Sequence, residues 1–249
     1  MQFVMDLFAL LGEKMLAGLT RAEPPAFPLW EVLVVVLGAA ALCLPAAWRY
    51  FGLFTTLVHE LGHAVAGISA GRFVTGIRIH RDHSGETHSY GPVGASAVWS
   101  TFWGYPVPAA VGGALLWAAL AGWAQTALSL SALILVLALP AVRNLFGAVV
   151  VLGCSSASLA MVWTADPLVT AHVTLAVGVA LLAGSLRSFG EVLLVHSRYP
   201  EDLDSSDAHI LAQATGVPAA VWLLLLGAVL GGCWYATLAS AVPLLLAAG

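Results

Sequence analysis

The chain has 249 residues, 60% hydrophobic and only 9% charged, with a formal net charge of −4. A soluble domain carries about 25% charged residues, so this composition excludes an ordinary water-soluble fold and points to an integral membrane protein. The small net charge gives no sign of nucleic-acid binding, and Cys43, Cys154 and Cys233 show neither metal spacing nor a disulfide framework.

Residues 1–22 lack the basic start of a secretory signal, and Asp6 and Glu13 interrupt their apolar character. They are expected to form an amphipathic helix lying at the membrane interface, ended by Pro24, Pro25 and Pro28. Windows of about 20 apolar residues mark membrane spans. They predict spans at 29–48, 51–70, 104–123, 126–142, 145–163, 167–187 and 217–238, with tight turns at 48–51 and 123–126. With the N-terminus in the cytoplasm, Lys14, Arg21, Arg72, Arg78, Arg81, Arg143, Arg187 and Arg198 all fall on the cytoplasmic side and only Arg49 outside. That distribution obeys the positive-inside rule and predicts a multi-pass protein of the cell membrane with a cytoplasmic N-terminus.

Two connections are long. After the second span, Phe73, Thr75, Ile77 and Ile79 alternate with Arg72, Val74, Gly76 and Arg78, which is a strand period. Asp82-His83-Ser84-Gly85 supplies a turn, and 86–90 can return. A cytoplasmic β-hairpin over 72–90 is expected. Trp99, Phe102, Trp103 and Tyr105 form an interfacial aromatic belt. The second connection, 188–216, is a cytoplasmic segment that holds Glu201, Asp202, Asp204 and Asp207. The predicted fold is therefore an all-α polytopic membrane protein of about seven transmembrane helices with a small cytoplasmic β-hairpin, one membrane-embedded domain over residues 1–249.

The second predicted span carries His59-Glu60-Leu61-Gly62-His63. A charged group near the centre of a span costs about 2.5–3.5 kcal/mol on insertion scales, so polar groups there mark a site. His59 and His63 are i and i+4, so both imidazoles leave one helix face and can grip one Zn2+. Glu60 stands beside them, where a general base for a metal-activated water belongs. Thr55 and Thr56 extend the polar stripe, while Phe54, Val58, Leu61, Val65 and Ile68 fill the other side. Gly62, Ala66 and Ala70 form a small-residue row for close helix packing.

A catalytic zinc takes three protein ligands and keeps one open position. By residue type Glu31, Glu191, Asp166 and the acidic cluster of 201–207 are candidates for the third. Asp207 is favoured because Ser205-Ser206-Asp207-Ala208-His209 opens a helical stretch on the cytoplasmic side; the same residues also suit a simple N-cap with an acid at the helix dipole. Arg143-Asn144 ends a span, as a topology anchor or as a substrate contact through Asn144.

A submerged His-Glu-Leu-Gly-His helix, a cytoplasmic hairpin and a later Asp at a helix start together resemble the site-2 protease family of intramembrane zinc metalloproteases, in a compact, divergent bacterial branch. The resemblance implies that His59, His63 and Asp207 hold Zn2+ and that Glu60 is the catalytic base. The family usually shows Asp-Gly at the third ligand; this chain has Asp207-Ala208, which leaves Asp202, Asp204, His209 and Glu31 as alternatives. The implied reaction is hydrolysis of a peptide bond in or near the transmembrane helix of a membrane-protein substrate, as in regulated intramembrane proteolysis. The rival class is a zinc-binding transporter or sensor without proteolysis, for which His80, His83, His88 and the mid-span His172 would be the further metal contacts.

Overall fold

The computed structural model describes Met5, residues 19–164, 166–198, Leu203 and residues 206–248. The proposed interfacial helix over 1–22 lies almost wholly outside the described residues. So do Asp202 and Asp204.

Helix α1 (Leu29–Leu42) and helix α2 (Pro45–Ser69) meet at a bend of 94°. Pro45 is the cause. Proline disfavours the helical conformation in the residue before it, and Leu44 is extended at φ −70, ψ 148. The helix then restarts with Pro45 at its first turn, where a missing N–H costs nothing. Arg187 holds the corner: its guanidinium donates to the Cys43 carbonyl, lies 4.6 Å from the Trp48 ring centroid and pairs with Glu191 at 3.1 Å. The tight turn expected at 48–51 is therefore continuous helix, and the break falls at Cys43–Leu44.

The hairpin follows as expected. Strand β1 (Phe73–Ile79) pairs antiparallel with β2 (Gly85–Tyr90), with Ile77 opposite Thr87 and Ile79 opposite Gly85. Ile77 and Ile79 are buried, while Phe73 and Thr75 are exposed on the other side of a bulge between Val74 and Gly76, so the alternation read in the sequence holds only over the second half of β1. Next come α3 (Ala95–Phe102), α4 (Pro106–Leu120), α5 (Ala124–Ala138), a 3-10 turn (Leu139–Ala141) and α6 (Leu145–Thr164). The last elements are α7 (Pro167–Arg198), α8 (Asp207–Thr215) and α9 (Ala219–Ala248).

Among the described residues, four helical stretches are long and apolar enough to cross a membrane: Ala124–Ala141, α6, α7 and Ala219–Leu246 within α9. The bent pair α1–α2 makes up to five. The seven expected spans are not all of this kind. Helix α4 has only 15 residues, about 22 Å at 1.5 Å per residue, against a hydrocarbon core of about 30 Å. It is the central helix, enclosed by protein on most sides, and needs no span's length. Its Gly112 lies against α7, where an added Cβ would sit 2.8 Å from the Gly178 carbonyl oxygen. Gly113 makes the same close approach to Thr237 of α9. Helix α7 has 32 residues, about 48 Å, so it runs well past the boundary expected at 187 and takes up the start of the 188–216 connection. Ala109, Leu181 and Leu182 fill the contact between α4 and α7.

Candidate metal centre

Helix α2 places His59, Glu60 and His63 on one side, and the N-terminus of α8 brings Asp207 across to them. The His59 and His63 Nε2 atoms are 3.0 Å apart. Asp207 Oδ2 lies 3.3 Å from the first and 3.4 Å from the second. Ligands at about 2.0–2.1 Å from a tetrahedral zinc are about 3.3–3.4 Å from one another, so these three atoms have the separations of a metal triad. Glu60 is buried, and its carboxylate lies in the same group as both imidazoles, with the donor atoms within 4.8 Å of one another.

The protonation pattern supports a cation between them. His63 Nδ1 lies 2.9 Å from the Ser100 carbonyl oxygen, which can only accept, so Nδ1 carries the hydrogen and Nε2 of the neutral ring presents a lone pair. Asp207 Oδ2 is buried without a well-formed hydrogen bond. Lone pairs converging in a buried place repel unless a cation sits among them. Gly104 leaves the room: a Cβ there would be 2.5 Å from His63 Nε2 and 2.6 Å from His59 Nε2. The donor set of two imidazoles and one carboxylate with an open side fits Zn2+.

A second tier of residues, which sequence reasoning missed, fixes this set. Thr87 Oγ1 of β2 donates to Glu60 Oε2 at 2.6 Å. Gly85, also on β2, lets that carboxylate in; a Cβ there would be 2.8 Å from Glu60 Cδ. Ser100 holds His63 twice, through its carbonyl and through its hydroxyl, which donates to the His63 carbonyl at 2.9 Å. Ser206 stands at the N-cap of α8 but bonds the His196 ring at 2.8 Å rather than capping its own helix. Tyr105 lies edge-on to His59, ring centroids 4.8 Å apart. The glycines and the paired serine and threonine are ordinary residue types, and no local spacing marks them.

The other candidates fall elsewhere. Glu31 bonds His172 at 2.7 Å, joining α1 to α7 away from the triad. Glu191 pairs with Arg187 at the α1–α2 corner. His209 faces Gln213 along α8. His80 and His88 lie 3.5 and 3.0 Å from opposite oxygens of Glu86 on the hairpin. Asn144 holds the end of β1: its Nδ2 donates to the Ile79 carbonyl at 2.7 Å and its Oδ1 accepts from the Ile79 N–H at 3.3 Å.

A cleft of 440 Å3 opens over the triad, walled by β2, α3, Arg72, Tyr105 and Ile210. The far edge of β1 is covered, since Ile77 bridges Val142 and Arg143 donates to the Ile77 and Thr75 carbonyls. The outer edge of β2 faces the cleft, and among the described residues no backbone-to-backbone bond reaches it.

No curated protein and no solved structure matches the chain. A family model, Peptidase M50B-like, matches residues 32–237, which takes in α2, the hairpin, α8 and every helix between. Metallopeptidases of this kind are membrane enzymes, and a match over most of the chain agrees with the cluster on α2: the protein belongs to the Peptidase M50B-like family, the site-2 protease family.

Proposed function

We propose that the chain is an intramembrane zinc metalloendopeptidase that cleaves a peptide bond in or near the transmembrane helix of a membrane-protein substrate. The observation that carries this reading is the convergence of His59 Nε2, His63 Nε2 and Asp207 Oδ2 beneath a cleft that β2 borders. His59, His63 and Asp207 hold the metal, and Glu60 is the base. Bound there, Zn2+ supplies a Lewis acid and a water acidic enough to attack at neutral pH.

The chain's own residues do the rest. Glu60 takes the proton of the attacking water and returns it to the leaving amine. Thr87 keeps one oxygen of that carboxylate in a fixed direction, and Ser100 keeps the His63 ring in its tautomer. A peptide bond inside an intact helix is shielded by its own hydrogen bonds, so the substrate must unwind. The outer edge of β2 offers it a row of backbone partners, as in strand addition. Asn144 serves this step at one remove, by holding β1. An enzyme so arranged, with its metal toward the cytoplasmic face of the cell membrane, suits regulated intramembrane proteolysis.

Transport of zinc is the poorer reading. A transport route needs a succession of ligand sets, and among the described residues the α2 cluster is the one group found. His172, near the start of α7, is bonded to Glu31. The test uses the purified protein in phospholipid vesicles with a panel of fluorescent single-span membrane peptides. The wild type is expected to cleave, and Glu60→Gln to retain zinc but lose cleavage. Full activity in Glu60→Gln, or zinc flux that survives in it, defeats the peptidase reading.

A further inference from the structure

Attack on an amide moves the carbonyl π pair onto oxygen, and a protein donor aimed at that oxygen is worth about 10²–10³ in kcat. Most donors on the cleft wall are already spent. Thr87 serves Glu60 and Ser100 serves His63. Arg72 is used on the Ser89 hydroxyl, the Ser89 carbonyl and the Pro92 carbonyl, and the His88 Nε2 faces Glu86.

Tyr105 differs. It follows Gly104, whose missing side chain opens the place between the two imidazoles. Its ring is wedged between His59, at 4.8 Å, and Phe189, at 6.2 Å, both edge-on, so its position is set by packing alone. No hydrogen bond to its hydroxyl is made among the described residues. The hydroxyl is not sealed from solvent and belongs to the wall of the cleft, where a phenylalanine would pack in the same slot and offer no donor. The phenol, with an ordinary pKa of about 10, is a donor at neutral pH.

We infer that Tyr105 is a further catalytic residue, whose hydroxyl donates a hydrogen bond to the scissile carbonyl oxygen as that oxygen becomes negative. This rests on the peptidase reading above. Water's oxygen forms the new C–O bond while the π pair moves to the carbonyl oxygen, and Glu60 takes the proton. The C=O bond then re-forms, the C–N bond breaks, and Glu60 protonates the amine. Tyr105 keeps its proton throughout and contributes only the hydrogen bond, strongest when the oxygen is charged.

The test is Tyr105→Phe in the same vesicles with the same single-span peptides, with Thr101→Val alongside, since Thr101 is another hydroxyl on the cleft wall. Tyr105→Phe is expected to lower kcat by 10- to 100-fold, with KM changed less than twofold and zinc stoichiometry unchanged. A peptide phosphinate, which carries a tetrahedral oxyanion, should bind Tyr105→Phe more weakly by a similar factor, while the parent peptide binds Glu60→Gln equally well with and without it. Cleavage by the wild type together with full kcat in Tyr105→Phe overturns the assignment alone. So does a loss that appears in Thr101→Val instead. A wild type that leaves every peptide intact overturns the peptidase reading and this assignment with it.

Discussion

Thr87 Oγ1 lies 2.6 Å from Oε2 of Glu60 and 3.1 Å from the Glu60 carbonyl oxygen. A strand residue thus steers the carboxylate of a helix that it meets only through the fold. Thr87→Val keeps the shape and removes the hydroxyl. It should lower kcat by about 10-fold, at the lower end of what outer partners of a metal site contribute, while zinc content stays at the wild-type level. Thr87→Ser should restore most of the loss. Zinc analysis and peptide cleavage on the same preparations separate the two effects.

The metal set makes a sharper demand. His59→Ala, His63→Ala and Asp207→Ala each remove one corner of a triad with edges of 3.0, 3.3 and 3.4 Å. Each should weaken zinc binding by more than about 100-fold, beyond the 10- to 100-fold typical of an outer partner. Glu31→Ala and His209→Ala should retain zinc, since Glu31 faces His172 and His209 faces Gln213. Asp202→Ala and Asp204→Ala should retain it as well. Competition against a chelator of known affinity reads all of these. Zinc retained at full affinity in Asp207→Ala moves the third ligand elsewhere.

What could be read from the chain depended on how local the signal was. The two histidines and the glutamate stand within one helical turn, and a metal demands that spacing, so they were legible at once. The hairpin was legible because Ile77 and Ile79 alternate with polar neighbours and the buried face needs that period. Asp207 could only be favoured, because a carboxylate at a helix start also serves the helix dipole, and its partners on α2 are distant in sequence. Thr87 and Gly85 carry no signature; each matters through a neighbour that the fold brings to it. The number of spans was less legible for a different reason. Apolar windows measure hydrophobicity, and α4 is apolar because protein surrounds it, while Pro45 divides a run that composition alone reads as continuous.

Two glycines should fail in different ways. A Cβ at Gly104 meets both Nε2 atoms, so Gly104→Ala is expected to lose zinc and activity together. A Cβ at Gly85 meets the Glu60 carboxylate, so Gly85→Ala is expected to keep zinc and lose most of its cleavage. Measuring metal content and rate for both variants tests the division between holding the metal and placing the base. Equal zinc loss in the two would show that the hairpin supports the ligands as well as Glu60.

Asn144 offers a test of how the hairpin is held. Its amide stands in for a strand neighbour, pairing both the N–H and the carbonyl of Ile79. Asn144→Ala leaves those two backbone groups unpaired at a site where β1 is buried, and each such group costs about 1–3 kcal/mol. The end of β1 should open more often, with hydrogen exchange at Ile79 and its neighbours faster by 10-fold or more. Zinc content should not change, because His59, His63 and Asp207 belong to α2 and α8. Cleavage should fall, since β2 carries Thr87 and hangs on β1. A direct substrate contact predicts the opposite pattern: a raised KM with exchange across β1 unaltered. The two measurements therefore decide whether Asn144 acts on the substrate or on the strand that frames the cleft.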